Sequence, residues 1–301
     1  GDTAWKALRS LTVWWRSCGA AAADTLALIT WNGESGGAEP ATIARELAEL
    51  PRCDAYFLQE VSARDIGRYA AAIRRAHGNE YKHYLGSLGS GDRLAVVIDE
   101  RRYRIRSFSE LMSYDSFTLN DWRHRPPLVV EVASLQDGQP LLLVNVHLAR
   151  GNKRLRTEQA TGLREWARTR GLPVVLAGDC NFDYDFRQRR GNAAWKAFFA
   201  GGVWAELAPS PRIDTNWSDR NRDGRDDYPD SALDFVAVCS SGSRLDGECQ
   251  VLVRDGDFPD TEATSDHRPV QANVTWQRDP HTEPKSDATN TGIRSRRVIV
   301  K

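Results

Sequence analysis

Several short apolar runs in this chain stop at an amide, a carboxylate or an imidazole. Residues 26–31 (LALITW) run into Asn32, residues 55–59 (AYFLQ) into Glu60, residues 141–146 (LLLVNV) into His147, and residues 173–178 (PVVLAG) into Asp179 and Asn181. Asp266 and His267 stand just before another run, which begins near Val270. Each run is too short for a helix and reads as a buried strand. A buried strand that ends in an unpaired carboxylate is costly unless a metal, a hydrogen bond or water satisfies it. A fold that gathers these ends at one edge would bring carboxylates, amides and histidines into a single cleft.

Amphipathic helices separate the runs. Pro40 opens one with Ile43, Leu47 and Leu50 on one face, and a second passes through Ile66, Tyr69 and Ile73. Residues 154–170 form a third, with Leu155, Leu163, Trp166 and Ala167 inward and Gly171 as its stop. Residues 94–98 and 103–108 read as a strand pair. Residues 128–133 and 141–147 flank Asp137-Gly138, a hairpin signal. Residues 233–239, 250–254 and 270–275 are further strands. Hairpins mixed with strand–helix units argue for an α/β fold of two stacked mixed or antiparallel sheets flanked by helices.

The 301 residues, 41% of them hydrophobic, suffice for one large domain or two small ones. Basic and acidic residues number 41 each, so bulk charge neither announces nucleic acid nor excludes it, because a local basic face does that work. No apolar run reaches the ~18–20 residues that span a bilayer. In residues 1–24, Lys6 and Arg9 precede a short apolar stretch broken by Arg16, and Ala20 to Ala23 resemble the end of a signal peptide. This is a leader remnant or a helix packing its tryptophans on the domain. Residues 277–301, polar and ending in a basic run, read as a flexible tail. Of five cysteines, Cys239 and Cys249 flank a Gly/Ser-rich stretch suited to a disulfide, or remain buried thiols like Cys18, Cys53 and Cys180.

The polar strand ends suit phosphate ester hydrolysis. Oxygen ligands favour Mg²⁺ or Mn²⁺ over zinc. One histidine can activate water near neutral pH and another can protonate the leaving group. Taken singly, Asn and Asp after a strand are common turn formers. Their joint occurrence at successive strand ends shifts the balance toward chemistry.

Thr30-Trp31-Asn32, Leu58-Gln59-Glu60-Val61, Asn145-Val146-His147-Leu148, Gly178-Asp179-Cys180-Asn181, Leu233-Asp234-Phe235-Val236 and Ser265-Asp266-His267-Arg268-Pro269-Val270 follow one another in order. Together they resemble the signature of the endonuclease/exonuclease/phosphatase superfamily, whose deoxyribonuclease branch shares the pattern. The resemblance covers residues 26 to 276 and implies a four-layer α/β sandwich, one catalytic domain over 25–276, and a divalent metal, Mg²⁺ or Mn²⁺. It implies that Glu60 is the main metal-ligating carboxylate, with Asn32 beside it and Asp266 assisting. Asp179 and Asn181 would position the nucleophile and the phosphate. His267, oriented by Asp234, and His147 would be the catalytic histidines. Asp92 would pair with His147, and Arg125 would contact the phosphate. Ser62 stands where deoxyribonuclease-like enzymes carry a minor-groove arginine, although Arg64 is close. The glycine-rich segment 86–91 lacks an aromatic wedge. The chemistry is therefore better specified than the substrate.

A second motif lies within an insertion near 215–231. Asp219, Asn221, Asp223, Asp227 and Asp230 take positions one, three, five, nine and twelve of a calcium loop. Arg225 supplies the carbonyl at seven, and Gly224 falls at the turn. Flanking EF-hand helices are not evident, so this is a loop site for structural Ca²⁺, or else a solvated acidic turn eased by Arg220, Arg222 and Arg225. Calcium and a disulfide would both favour a secreted or periplasmic protein.

The leading functional expectation is a monomeric nuclease acting on nucleic acid or another phosphodiester. Basic clusters at 153–156 and 187–190 support it, although such clusters are as often solvated faces. The alternative is a phosphoesterase for a lipid head group or small molecule, like sphingomyelinases and inositol phosphatases, with Trp204 and Trp217 as candidate loop aromatics. The third is an inactive binding module, disfavoured because every expected catalytic position holds a competent side chain.

Overall fold

A computed structural model of the chain describes residues 24–118, 125–259, 261 and 263–278. The expected leader or N-terminal helix, Cys18 and the tail beyond Arg278 lie outside the described residues.

Two six-stranded mixed sheets stack face to face. The first contains β1 (Thr25–Asn32), β2 (Ala55–Val61), β3 (Tyr81–Leu85), β4 (Arg93–Asp99), β11 (Ser243–Val251) and β12 (Val270–Arg278), in the order β11-β12-β1-β2-β4-β3. The second contains β5 (Tyr103–Glu110), β6 (Leu128–Ser134), β7 (Pro140–His147), β8 (Val174–Asp185), β9 (Ala205–Glu206) and β10 (Ser231–Cys239), in the order β5-β6-β7-β8-β10-β9. Helices α1 (Pro40–Glu49) and α2 (Ile66–His77) cover the first sheet, and α4 (Lys153–Arg168) and α5 (Ala193–Phe199) cover the second. A single helical turn, α3 (Asp115–Thr118), packs on α4.

The period-2 alternation of strand side chains produces this layering. Leu26, Leu28, Ala55, Phe57, Leu94, Val96, Leu141, Leu143, Val175, Ala177, Val236 and Val238 face the other sheet and form the central core. Their alternates face helices: Ile29, Trp31, Tyr56 and Leu58 meet Ile43, Leu47 and Ile73, while Val144, Leu176, Phe235 and Ala237 meet Leu163, Trp166 and Phe198. Each fully buried large apolar side chain contributes about 1.5–3 kcal/mol. Three apolar layers between four structural layers fulfil the expected sandwich.

Several sequence expectations are corrected. The pair read at 94–98 and 103–108 is not a pair: β4 lies between β2 and β3, while β5 joins β6 in the other sheet. The buried carboxylate of Asp99 accepts from the Arg101 backbone N–H and from both Arg101 and Arg52 guanidinium groups, and this turns the chain from one sheet into the next. Past a turn at 240–242, the stretch after Cys239 is the edge strand β11, whose alternating burial reflects one covered face, so the strand expected at 250–254 begins at Ser243 and ends at Val251. β12 continues through Gln277 and Arg278, into the expected tail, by pairing with Ser243 and Arg244. Cys53, Cys180, Cys239 and Cys249 are all free thiols. Cys239 lies on the helix-facing side of one sheet and Cys249 in the core on the other, so no disulfide joins them, and one of the two supports for export falls away. Trp204 is buried and stacked on Phe198, with ring centroids 5.0 Å apart, and cannot serve as a membrane anchor. Among the described residues no helix is long and apolar enough to cross a membrane.

Candidate active site

The strand directions explain why the polar ends meet. β1 and β2 run parallel in one sheet, and β7 and β8 run parallel in the other. The C-terminal ends of β1, β2 and β7 meet at one edge, with Asn32 opposite Gln59 and His147 opposite Asp179, partway along the longer β8. β10 and β12 run antiparallel to their neighbours, so they enter at the same edge, with Asp234 opposite Asp179 and with His267 just ahead of Val270. Asn32, Asp179, Asp234 and His267 are each at most 2% exposed.

Backbone irregularities then aim the side chains. The pairing of β2 with β4 slips between Leu58 and Val61, and Glu60 takes a left-handed φ of 52°. The pairing of β8 with β10 slips between Ala232 and Asp234, where Asn181 (φ 50°) and Asp183 (φ 46°) are also left-handed. Bulges of this kind redirect a side chain and cost about 1–3 kcal/mol per non-glycine residue held there. Asn tolerates the conformation, but nothing in the identity of Glu60 announces it.

Asp179 Oδ2 is the hub. Asn32 Nδ2 donates to it at 3.1 Å and to Glu60 Oε1 at 3.2 Å, joining the two sheets. His147 Nε2 lies 3.3 Å from the same Asp179 oxygen and 3.9 Å from Glu60 Oε1. His267 Nδ1 meets Asp234 Oδ2 at 2.8 Å, and its Nε2 lies 3.7 Å from Asp179 Oδ2 and 3.8 Å from Asp266 Oδ1. Asn181 N–H donates to Asp179 Oδ1, while Asn181 Nδ2 donates to the Leu148 carbonyl. Beneath the hub, Gln59 Nε2 donates to Asn145 Oδ1 across the sheets at 2.8 Å, and Asn145 Nδ2 donates to the Leu58 and Ala95 carbonyls. Gln59 and Asn145 lie inside quoted motifs, yet their bridging role was not read from the sequence.

Burial dominates the electrostatics. It raises the Asp179 carboxyl to about 7, with the Asp234 and Glu60 charges adding to the effect and His267 and Asn32 opposing it. Burial also raises Glu60, reinforced by Asp92 and opposed by Asn32, Arg125 and His267. For His267 burial alone would disfavour the imidazolium, but Asp234, Asp266 and Asp179 together raise its pKa well above the ordinary value. Burial lowers Arg125, and the charges of Glu60, Asp92 and Asp179 hold it up. The glycine-rich segment packs tightly here: Gly89 has φ 107°, and a Cβ on it would meet the Asp92 carbonyl at 2.9 Å and Arg125 at 3.2 Å.

The structure brings the expected residues together, with one qualification. Asp92 acts electrostatically on Glu60 and Arg125, and His147 Nε2 faces Asp179 and Glu60. Among the described residues, the one group of three acidic or imidazole side chains within ion-sharing distance is Asp179, Asp234 and His267, not the set centred on Glu60. In the calcium-like loop, Asp219 accepts from the Asp223 and Gly224 N–H groups, Asn221 from Asp223 N–H and Asp223 from Arg225 N–H, folding the first half about Gly224 (φ 78°). Asp227 accepts from Arg220 N–H, and Asp230 is exposed. Arg156, counted in a basic cluster, is buried and donates to the Ala149 and Arg150 carbonyls.

A family model described as "Endonuclease/Exonuclease/phosphatase family" matches residues 29–267. Among solved structures, the chain is similar to D. rerio TDP2 complexed with single strand DNA product, at 18% identity over 83% of this chain and 99% of that one (TM-score 0.63). It is similar to an endonuclease/exonuclease/phosphatase family protein from Bacteroides thetaiotaomicron, at 16% identity over 85% and 99% (TM-score 0.61). It also resembles the Bacteroides thetaiotaomicron mannosyl-6-phosphatase Bt3783, at 17% identity over 84% and 99% (TM-score 0.56). No curated protein sequence matches the chain.

Proposed function

From the premise that the chain belongs to the endonuclease/exonuclease/phosphatase family, and is a phosphoester hydrolase, we propose that it cleaves phosphodiester bonds of nucleic acid with a divalent metal. The observation that carries the choice of substrate is the exposed basic rim. Arg150, Lys153 and Arg154 follow His147, and Arg187, Arg189 and Arg190 follow Asn181, all exposed. β7, which ends at His147, and β8, which runs on from Asp179 to Asp185, thus lead into cationic segments suited to a polyanionic backbone. The D. rerio TDP2 structure, which holds a DNA product, is consistent with this reading.

The donor set fits a hard divalent cation. Carboxylates of Glu60, Asp92, Asp179, Asp234 and Asp266 crowd against few cations. We assign Mg²⁺ or Mn²⁺ to Glu60, with Asn32 and Asp266. Asp234 Oδ2 is already committed to His267, and the Glu60 side chain, 23% exposed, is open to substrate. When bound, the ion neutralises charge on the phosphoryl group. Asp179, pinned by Asn32 and Asn181, orients the attacking water and takes its proton. His267 hydrogen-bonds a phosphoryl oxygen through Nε2, and His147 protonates the leaving oxygen. Arg125 offsets the remaining charge.

Plasmid DNA, single-stranded DNA, RNA, sphingomyelin and a generic phosphodiester, each with Mg²⁺, Mn²⁺ and EDTA, test the assignment. We expect DNA or RNA to be the best substrate, and KM on it to rise steeply with salt, as release of about one counterion per contacted phosphate requires. Activity confined to sphingomyelin or small monoesters would overturn it. One observation favours a small-molecule phosphoester as the second reading: a cleft of about 340 Å³ lined by Asp183, Asp185, Gln188, Arg190, Asn192 and Lys196 lies beside Asn181, with polar groups suited to hydroxyls.

We also propose Ca²⁺ for residues 219–230, supported by the donor spacing and by the way the first half of the loop closes on Asp219. Binding to the folded state alone raises the melting temperature with calcium concentration. Asp223→Ala should abolish that shift while sparing Mg²⁺-dependent turnover. Identical melting curves in EDTA and millimolar calcium would refute the site.

A further inference from the structure

Where β8 bulges, β10 loses its ladder. Ala232 lies opposite Tyr184 and Asp234 opposite Asp179, so one β10 residue, Leu233, faces the four residues 180–183. The N–H groups of Leu233 and Asp234 both turn instead to the hydroxyl of Thr215, which accepts at 2.9 Å and 3.3 Å. Thr215 is completely buried. Its own N–H donates to the Ser231 carbonyl at 3.2 Å, and its carbonyl accepts from Arg268 N–H at 2.8 Å. The next residues continue the strap. Asn216 bridges to His267, Asn216 Nδ2 donates to the Asp266 carbonyl at 3.1 Å, and Trp217 N–H donates to that carbonyl at 2.9 Å. Asp214 accepts from the Arg268 guanidinium.

One residue therefore holds the main chain of Asp234 through its side-chain hydroxyl and the turn after His267 through its backbone carbonyl. We propose that Thr215 is the positioning residue that sets the Asp234–His267 hydrogen bond. The inference rests on the phosphoesterase reading above, in which that pair works on the phosphoryl group. A hydroxyl is suited to the task because its two lone pairs serve two N–H groups that the bulge leaves without strand partners. A strand residue could serve only one face of the pair. Thr215, arriving from the insertion, reaches both.

Thr215→Val keeps the shape and removes the acceptor, whereas Thr215→Ser keeps the acceptor. In the full chain with Mg²⁺, we expect Thr215→Val to lower kcat on the best diester about 10- to 100-fold, the scale of a small misplacement of catalytic groups. KM should stay within about twofold, and Thr215→Ser should recover most of kcat. In an Asp234→Asn background, Thr215→Val should cost almost nothing more, because it acts through Asp234. The downfield proton resonance of the His267 Nδ1–H should shift or vanish in Thr215→Val and persist in Thr215→Ser. That resonance needs no substrate, so it judges the positioning role even if the wild-type chain proves inactive on every phosphoester, a result that would sink the functional reading alone. Unchanged kcat and an unchanged resonance in folded Thr215→Val would overturn the inference. So would equal losses in the Thr→Val and Thr→Ser variants. If Thr215→Val fails to fold, the resonance in Asn216→Ala, which loosens the same strap at the Asp266 carbonyl, decides: an unmoved signal counts against it.

Discussion

We expect Glu60→Gln to lower turnover about a thousandfold while leaving the fold intact. The size follows from the role: a bound metal supplies several kcal/mol of charge stabilisation in the transition state, and each 1.36 kcal/mol is a factor of ten. The fold survives because Gln is isosteric, because Glu60 is only half-buried, and because Asn32 Nδ2 can still donate to a side-chain oxygen at that place. The electrostatics add a second readout. Glu60 and Asp179 both titrate above the ordinary carboxylate range in the folded chain, so the native state holds protons that the unfolded state has released. Metal-free protein therefore loses stability as pH rises from that range toward about 7, the value to which Asp179 is raised. A divalent ion offsets this loss, so Mg²⁺ should raise the melting temperature more at pH ~7 than at pH ~4. Glu60→Gln should weaken the Mg²⁺ shift and raise the melting temperature in EDTA. Full turnover in EDTA after dialysis, or wild-type turnover in Glu60→Gln, would remove Glu60 from the metal site.

The contrast between Glu60 and Thr215 shows what a sequence of this kind discloses. Glu60 was legible because it terminates an apolar run, and a carboxylate at the end of a buried strand needs an explanation from its own line of sequence. The same holds for Asn32, His147 and Asp179, with His267 standing just before a run instead, and the family resemblance supplied their expected roles and their order. The period-2 pattern likewise announced the central strands, which are covered on both faces. Legibility failed where the cause lies outside the local sequence. β11 carries alternating polar residues on an edge, and its Gly/Ser content reads as loop until β12 is there to pair with it. β4 and β5 part into different sheets across Asp99, whose partners include Arg52 from a distant turn. Cys239 and Cys249 are close in sequence but are divided by the sheet-to-sheet core. The bulge at Asn181 has only the weak signature of two residue types, Asn181 and Asp183, that tolerate a left-handed φ, and the need for Thr215 has none, because it arises only once Leu233 and Asp234 turn away from β8.

The catalytic pair gives the other large effect. Asp234→Asn and His267→Ala should each lower kcat about 10²- to 10³-fold, the range of a lost hydrogen bond to developing phosphoryl charge, and the double variant should be no worse than the poorer single. The reason is geometric. Asp234 Oδ2 accepts the Nδ1 proton of His267 at 2.8 Å in a site where both side chains are almost fully buried. That bond fixes which nitrogen carries which proton and leaves Nε2 directed toward the carboxylates of Asp179 and Asp266, 3.7 Å and 3.8 Å away, where the phosphoryl group is to be held. An amide in place of the carboxylate can turn its N–H₂ toward Nδ1, favour the other tautomer and remove the charge that stabilises the imidazolium, so the ring stays in place and loses its function. Once the ring is gone, the carboxylate has nothing to orient, and its removal adds no further loss. Asp234 also has a buried Oδ1 without a hydrogen-bond partner, so Asp234→Asn should not reduce the melting temperature much, and a folded, inactive protein is the expected result. Multiplicative losses in the double variant would mean that the two residues act separately. Wild-type turnover in Asp234→Asn would place the tautomer control elsewhere.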